Sequence, residues 1–244
     1  MTMRDEQDAV GHLDWDFHHG KQVHEIIERD DGYVEVSGGP RAYFEPYRRW
    51  PACEKRAMRY ARGRILDVGC GVGRVALHLQ RKGLDVMGID NSPLAVKVCK
   101  LRGLRNVRAT PFGGIRFRRD SFDTVLFLGN NFGLFANRRE AQRMLLRLHR
   151  MTSSDAHIVA ESLDPRDTDN PFHLAYHRKN LARGRMAGQV RIRVRYQGYV
   201  TPWFDYLFVS KTEMRGLLRG SGWRIQEFLP GEGPVYVAVL AKTE

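Results

Sequence analysis

The stretch that decides the fold is Ile65-Leu66-Asp67-Val68-Gly69-Cys70-Gly71-Val72-Gly73-Arg74. Its apolar first half is typical of a buried strand, and glycine at alternate positions predicts a tight turn that opens a helix. Glycine suits such a turn because it adopts backbone conformations that other residues avoid, and because a ligand can approach it closely. The first N–H groups of the following helix carry partial positive charge, so the turn is a candidate ligand site.

Short apolar runs alternate with helical stretches on both sides of this turn, which predicts an α/β fold with a doubly wound, mostly parallel sheet. Strands are expected at Arg64–Val68, Asp85–Ile89, Val107–Thr110, Thr124–Leu128, Ile158–Glu161, Gln189–Gln197, Tyr199–Val209, Arg224–Leu229 and Val235–Lys242. Helices are expected at Lys21–Arg29, Glu54–Arg62, Val72–Arg81, Pro93–Leu101 and Arg138–Met151, and from a cap at Ser210 or Thr212 through Leu218.

An acidic residue follows the glycine turn at the spacing of a nucleoside site. Asp90 ends the next predicted strand, where a carboxylate can accept both ribose hydroxyls. The dinucleotide pattern G-x-G-x-x-G fails, because its third glycine position is Arg74. The pattern is instead D-x-G-x-G-x-G, in which the charge of Asp67 can pair with an ammonium group.

These residues resemble the first motif of class I S-adenosylmethionine-dependent methyltransferases. The resemblance implies a seven-stranded Rossmann-like sheet with an antiparallel final strand, and S-adenosylmethionine as cofactor, with S-adenosylhomocysteine as product. It implies that Asp67 and the backbone of Gly69, Cys70, Gly71 and Gly73 hold the methionine portion. It further implies that Asp90 binds the ribose, and that Asn91 and Ser92 lie along the adenine. The acidic residue that the family often has after the third strand is missing, since the chain has Ala109-Thr110-Pro111-Phe112 there.

The fourth predicted strand runs into Leu128-Gly129-Asn130-Asn131-Phe132. This segment resembles the Gly-Asn-Ser-Phe stretch of glycine N-methyltransferases, and Leu128, Gly129 and Asn130 are assigned to the cofactor. Asn131 and Phe132 are assigned to the substrate, because an amide offers a donor and an acceptor together. Capping or turn formation is the competing interpretation of both asparagines. No prolines follow them, unlike the signature of enzymes that methylate nucleic-acid amines.

The chain divides into an N-terminal helical and aromatic segment, 1–62, and a cofactor-binding domain, 63–244, with a substrate cap inserted as a β-hairpin at about 165–209. Tyr43, Phe44, Tyr47 and Trp50 either close over the cofactor or pack the first helix on the sheet. In the cap, the two-residue period of a strand puts Arg191, Arg193 and Arg195 on one face. If that face meets the substrate, it favours a carboxylate or phosphate, and otherwise it is a solvated face. Tyr206 is a further substrate candidate.

Methyl transfer is an in-line displacement, so alignment matters most and a base is needed only for a protonated nucleophile. The catalytic residue is therefore left open, with Asn131, Glu161, His173 and Tyr206 as candidates. Asp164, His177 and Asp205 are further candidate bases.

Composition narrows the class of protein. The 244 residues carry a net charge of +12, with 42% hydrophobic residues, which fits a globular chain and excludes collagen and coiled coils. No membrane span or secretory signal is expected, which together with three widely spaced cysteines favours a cytoplasmic protein. No metal is expected, since His18, His19 and His24 lack ligand spacing. The leading hypothesis is methylation of an N or O atom of a small molecule, for which an anion is favoured. RNA methylation, aminopropyl transfer and non-catalytic nucleoside binding are the alternatives, and the oligomeric state is left open.

Overall fold

The computed structural model describes residues 2–243 and contains twelve strands and eight α-helices within that range. The strands are β1 Ile26–Arg29, β2 Val34–Val36, β3 Arg64–Val68, β4 Asp85–Asp90, β5 Val107–Ala109, β6 Phe122–Phe127, β7 Thr152–Leu163, β8 Gln189–Tyr196, β9 Tyr199–Val200, β10 Phe204–Leu207, β11 Trp223–Pro230 and β12 Val235–Lys242. The helices are α1 Ala9–His18, α2 Arg41–Phe44, α3 Ala52–Ala57, α4 Arg74–Arg81, α5 Pro93–Leu101, α6 Arg138–Met151, α7 Pro171–Ala182 and α8 Lys211–Leu218.

The main sheet has seven strands in the order β11-β12-β7-β6-β3-β4-β5. The pairs β4–β5 and β6–β7 are parallel, whereas β12 lies antiparallel to both β7 and β11. This is the predicted mostly parallel seven-stranded sheet with a reversed final strand, so the expected fold class is confirmed.

Local signals explain where the helices begin. The Ser92 side chain accepts a hydrogen bond from Ala95 N, and Pro93 occupies the first turn, where its missing N–H costs nothing. Ser210 and Glu213 form a reciprocal capping box at α8. The predicted bounds of α5 and α6 are confirmed, and α4 begins at Arg74, two residues later than expected.

A second, antiparallel sheet has the order β10-β8-β1-β2, with β9 paired to β8. The predicted helix at Lys21–Arg29 is wrong, because Ile26–Arg29 is a strand and the N-terminal helix lies earlier, at Ala9–His18. Ile26 lies opposite Arg195 of β8. Hydrophobic periodicity reports only on residues close together in the chain, so it could not predict this pairing. The predicted single strand Tyr199–Val209 is interrupted around Pro202 and forms two short strands.

Contacts divide the chain into two compact units. The first comprises residues up to Trp50, then Leu66–Arg116 and Arg191–Phe204, and the second comprises Pro51–Ile65, Phe117–Val190 and residues from Asp205 onward. The second unit contains α7, which none of the predicted helices covers. Asn170 caps this helix by accepting from Phe172 N, and Pro171 occupies its first position, so a capping signal was present.

Within residues 2–243, no helix is both long and apolar enough to cross a membrane.

Candidate functional site

The glycine turn of the first unit follows β3 directly. Gly69 N and Cys70 N both donate to Ile89 O, at 2.9 and 3.1 Å, so the turn is tied to the adjacent strand β4. Gly71 has φ +50°, and a Cβ added there would meet nothing within 4 Å, so this backbone borders open space. Gly73 has φ +81° and begins α4, where a Cβ would come within 3.1 Å of Cys99 Sγ. The turn therefore needs glycine for its conformation and leaves room for a ligand beside it.

Asp90 is held at the end of β4 by two backbone donors. Its Oδ2 accepts from Gly71 N at 2.9 Å and its Oδ1 accepts from Ser92 N at 3.0 Å. Burial raises the pKa of Asp90, while the hydrogen bonds from Ser92 and Gly71 oppose that rise. The carboxylate is thus fixed between the glycine turn and α5, as a ribose-binding acid requires.

The remaining predicted cofactor residues of this unit gather around the same turn. Asp67 is buried at the end of β3, and the Asn91 carbonyl accepts from Met3 N at 3.0 Å. Ser92 Oγ donates to Asp8 Oδ2 at 2.8 Å, and Asp8 also accepts from Leu94 N. Hydrogen bonding to Cys99 and burial raise the pKa of the Cys70 thiol. After β5, Thr110 N donates to Asp90 O at 2.6 Å, so the Thr110 N–H is already hydrogen-bonded to strand β4.

Three of the four aromatic residues singled out in the N-terminal segment pack against neighbouring side chains. Tyr47 stacks on His78 of α4 at 4.1 Å, and Arg74 lies over the Trp50 ring at 4.6 Å. Phe44 contacts Phe17, with 4.9 Å between the ring centroids. Tyr43 is different, because much of its side chain stays accessible. Packing accordingly explains three of these four aromatics.

The second unit contains a hydrogen-bonded loop at Gly129 and Asn130, directly after β6. Glu161 of β7 is only 6% exposed, and it accepts from Asn130 N at 3.1 Å and Gly129 N at 3.3 Å. Tyr206 Oη donates to the Asn130 carbonyl at 2.7 Å. Asn130 itself has φ +63°, and its side-chain Oδ1 is buried without a hydrogen-bond partner among the described residues. The loop is rigidly held and presents one unused acceptor.

The predicted substrate and catalytic residues of this unit have distinct surroundings. Phe132 is fully buried, with 4.7 Å between its ring centroid and that of Phe135, and its assignment to the substrate stays a prediction. Asn131, next to it, is half-buried, as is His173 on α7. Glu161 and Tyr206 both hydrogen-bond to the Asn130 backbone, and a catalytic role for either stays a prediction.

Two of the other candidate bases of this unit accept hydrogen bonds from neighbouring residues. Asp164 accepts from Arg166 N at 3.0 Å, and Asp205 accepts from Gln189 at 3.1 Å. His177 lies half-buried one turn beyond His173 on α7. A dedicated base among these residues stays a prediction.

The arginine face of β8 is built as the two-residue period predicts. Arg191 and Arg195 are exposed, while Val194 and Tyr196 are buried. Arg193 and Arg195 both pair with Glu28 of β1, at 2.7 Å for Arg195 Nη1, and Arg193 lies 4.7 Å over the Trp203 ring. Two of the three guanidinium groups are thus engaged by a carboxylate of the neighbouring strand, and their assignment to a substrate stays a prediction.

A cavity of about 320 Å³ lies where β7 begins, lined in part by Arg62, Asp155, His157 and Gln226. It adjoins the opposite end of β7 from Glu161. Ligands of open α/β sheets bind beyond the carboxyl ends of the strands, so this cavity is not the expected site. Among residues 2–243, no group of three or more His, Cys, Asp or Glu side chains is arranged to hold a metal ion.

Comparison with known proteins agrees with this architecture. Residues 65–155 match the family described as methyltransferase domain. Over its full length, the chain is similar to an S-adenosylmethionine-dependent methyltransferase of Bacteroides fragilis solved with S-adenosyl-L-homocysteine, with 26% identity, coverage of 100% of this chain and 98% of that chain, and a TM-score of 0.85. The methyltransferase CcbJ of Streptomyces caelestis shares the fold at 15% identity, with coverage of 99% and 100% and a TM-score of 0.62.

The similarity to curated relatives is more local. A protein of Geobacillus sp. (strain WCH70) that carries the name methyltransferase is 24% identical over 143 residues, which are 55% of this chain and 58% of that protein. The ubiquinone biosynthesis O-methyltransferase of Alkalilimnicola ehrlichii is 51% identical over 41 residues, which are 17% of each chain. The matches thus span little more than half of the first relative and a sixth of the second.

The reversed last strand, the glycine turn and the acid that ends β4 define the class I methyltransferase fold. Residues 65–155 match the methyltransferase domain, and the chain as a whole is similar in fold to an S-adenosylmethionine-dependent methyltransferase.

Proposed function

We propose that the protein transfers a methyl group from S-adenosylmethionine to an N or O atom of a small molecule. The observation that carries this proposal is the Asp90 carboxylate, fixed between Gly71 N and Ser92 N beside an open glycine turn. Full-length similarity to a methyltransferase solved with S-adenosylhomocysteine supports the same cofactor.

The residues of the first unit fit this cofactor. Asp90 offers a carboxylate to ribose hydroxyls, and the Gly71 backbone borders space that a Cβ would partly fill. Asp67, buried at the end of β3, supplies negative charge for the amino-acid portion. When bound, S-adenosylmethionine supplies an electrophilic methyl group on a sulfonium. The assignment of Leu128, Gly129 and Asn130 to the cofactor stays part of the proposal.

The second unit supplies positioning groups for the acceptor. Glu161 and Tyr206 fix the Asn130 backbone from its N–H side and its carbonyl side, and the Asn130 Oδ1 remains to accept a hydrogen bond. Its neighbour Asn131 is half-buried and is the residue proposed to align the acceptor, because an amide offers a donor and an acceptor together. Alignment of this kind needs no dedicated base, unless the acceptor atom carries a proton that must leave.

The acceptor is proposed to be small, and an anion is favoured. Glu28 supplies one carboxylate against Arg191, Arg193 and Arg195, so the arginine face keeps a net positive charge. Similarity to an O-methyltransferase covers only 41 residues, so it gives no preference for an oxygen acceptor.

A titration with S-adenosylhomocysteine tests the cofactor assignment. A ligand at 100 times its Kd stabilises a protein by about 2.7 kcal/mol, which raises Tm by roughly 5–10 °C for a chain of this size. Asp90→Asn should abolish most of that rise, because the amide replaces an oxygen that accepts a hydrogen bond. Asp85→Asn is the matched control, since Asp85 lies exposed at the other end of the same strand. No rise for the wild type, or equal rises for both variants, would refute the assignment.

A second assay addresses catalysis. Labelled S-adenosylmethionine is incubated with panels of small amines, phenols and carboxylates, and with total RNA, and label transfer is counted. Transfer to a small molecule supports the proposal, whereas transfer to RNA alone contradicts it. Cofactor binding without transfer to any panel favours a nucleoside-binding protein, and turnover of decarboxylated cofactor favours aminopropyl transfer.

A further inference from the structure

A row of three side chains crosses the main sheet beside the cavity at the start of β7. Arg224 of β11 lies opposite Ala241 of β12, and Ala241 lies opposite His157 of β7. Residues opposite one another on neighbouring antiparallel strands share a face of the sheet, so a methyl group stands between two longer side chains. All three residues line the cavity, whose volume of about 320 Å³ is enough for a small ligand. The row therefore has a gap at Ala241 that a ligand can fill.

A β-bulge in β11 brings a fourth side chain to the cavity. The register shifts between Ile225 and Glu227, which makes Gln226 the extra residue. Gln226 Oε1 lies 2.8 Å from His157 Nε2, and both residues line the cavity. The other ring nitrogen, His157 Nδ1, is buried without a hydrogen-bond partner among the described residues. An unpaired buried nitrogen is costly, and a ligand that meets Nδ1 would remove this cost.

The charge around the cavity is mainly positive. Arg62, Arg224 and Lys242 line it, with Asp155 as the one carboxylate among the lining residues. Lys242 is engaged elsewhere, because its Nζ donates to two backbone carbonyls at 2.6 and 2.7 Å. Arg62 Nη2 donates to Asp155 Oδ2 at 2.8 Å, which holds that guanidinium in place. Arg224 is exposed and has no hydrogen bond or ion pair within the part of the chain that the structure describes, so an anion in the cavity would give it a counter-ion.

His157 experiences the same excess of positive charge. Burial lowers the pKa of His157, and the guanidinium groups of Arg62 and Arg224 lower it further. The Gln226 hydrogen bond and the Asp155 carboxylate oppose this fall. An anion beside the ring would offset the guanidinium charges and favour the imidazolium form, which donates from both of its nitrogens.

We propose that this cavity binds the phosphate group of a small phosphorylated molecule. Arg62 and Arg224 offer planar forks of N–H donors, and His157 Nδ1 offers a third donor while the Nε2 contact is kept. A phosphate monoester presents three acceptor oxygens and a carboxylate two, so three donor groups suit the phosphate. None of the lining residues is among those assigned to the cofactor or to the methyl acceptor, so the site goes beyond the proposed function.

Isothermal titration of the full chain tests the ligand class with three probes, which are glycerol 3-phosphate, glycerate and glycerol. The probes differ in carrying a phosphate, a carboxylate or a hydroxyl group at one end. Glycerol 3-phosphate should bind about tenfold more tightly than glycerate, and glycerol should not bind. Equal affinities of glycerol 3-phosphate and glycerate, or no binding of glycerol 3-phosphate, would overturn the proposal. Displacement of glycerol 3-phosphate by a short single-stranded RNA at far lower concentration would assign the site to a nucleic-acid backbone and would overturn it too.

Three variants locate the binding. Arg224→Gln removes the unpaired guanidinium, and His157→Gln removes Nδ1 while its amide can still reach Gln226. Each should weaken the binding of glycerol 3-phosphate about tenfold. Ala241→Leu changes no charge but fills the gap in the row, so it should abolish the binding. Wild-type affinity in Ala241→Leu, or in both of the other variants, contradicts the proposal.

Arg219→Gln is the matched control. Arg219 is also exposed and lies outside the cavity lining, and its replacement lowers the net charge as much as Arg224→Gln does, so this variant should bind glycerol 3-phosphate like the wild type. Equal weakening in Arg219→Gln and Arg224→Gln would mean general attraction to a basic protein and would overturn the proposal. All four variants should bind S-adenosylhomocysteine like the wild type, which distinguishes a lost phosphate site from a lost fold. Absence of S-adenosylhomocysteine binding in the wild type would refute the methyltransferase assignment alone, because the phosphate site does not rest on it.

Discussion

Replacing Gly133 by alanine should force Tyr206 away from the Asn130 loop. A Cβ at position 133 would lie 1.9, 2.2 and 2.3 Å from three ring atoms of Tyr206, where real Cβ atoms stay beyond 3.0 Å. The ring must therefore retreat by about 1.1 Å. Its hydroxyl donates to Asn130 O at 2.7 Å, and a displacement of that size lengthens this hydrogen bond beyond the usual range.

The stability lost in Gly133→Ala follows from the displaced ring and from the lengthened hydrogen bond. Overpacking a filled site costs about 1–3 kcal/mol, and losing one hydrogen bond costs about 1 kcal/mol more. Each kcal/mol lowers Tm by roughly 2–4 °C in a chain of this size, so Gly133→Ala should melt about 4–16 °C below the wild type. Calorimetry or circular dichroism measures the shift directly.

A double-mutant cycle isolates the cause. In a Tyr206→Ala background the ring is gone, so Gly133→Ala should cost less than about 1 kcal/mol there. Gly216→Ala is the control, because a Cβ at this position of α8 meets nothing within 4 Å and alanine favours a helix. An equal cost of Gly133→Ala in both backgrounds, or a wild-type Tm for the single variant, would refute the reasoning.

Two further predictions concern stability. Ser210→Ala removes the capping box in which Ser210 Oγ accepts from Glu213 N at 3.2 Å, so the free energy of unfolding should fall by about 1 kcal/mol, whereas Ser210→Asp should retain most of it. Arg29 donates to both oxygens of Asp31 at 2.8 and 2.9 Å, and these bonds lower the Asp31 pKa below 3.8. Because this pKa is depressed in the folded state, the stabilisation is present above pH 3.8 and is lost as pH falls through the lower folded value. In Asp31→Asn the free energy of unfolding should therefore fall less steeply at acid pH than in the wild type, as measured by urea unfolding at stepped pH. The same fall in both proteins would contradict this.

The central sheet could be predicted because its strands are apolar runs punctuated by glycine and proline. Arg64–Val68 and Val235–Lys242 have the expected bounds, and Pro93–Leu101 begins at the expected cap. These elements are specified by residues next to one another in the chain, which is the range that periodicity covers.

The errors concern residues whose partners are distant. Ile26 and Ile27 form a strand because they pair with β8, about 170 residues further along, whereas their own neighbours are charged. No motif marks the Asp14 and Glu25 carboxylates, since the burial of their oxygens without hydrogen-bond partners depends on the folded chain. In contrast, Asp90 could be predicted, because the end of its strand and the glycine turn lie close together in the sequence.

Asp8 has a consequence for the order in which the chain folds during synthesis. Its carboxylate caps α1 through Gly11 N and also accepts from Ser92 Oγ, 84 residues later. At about 5–20 residues per second, Ser92 leaves the ribosome roughly 4–17 s after Asp8. The edge strand β2 meanwhile exposes Val34 and Val36, and β1 waits still longer for the arginines of β8. The N-terminal segment is therefore made before the residues that complete it, and during that interval the β1–β2 pair keeps an open edge at which another chain can pair.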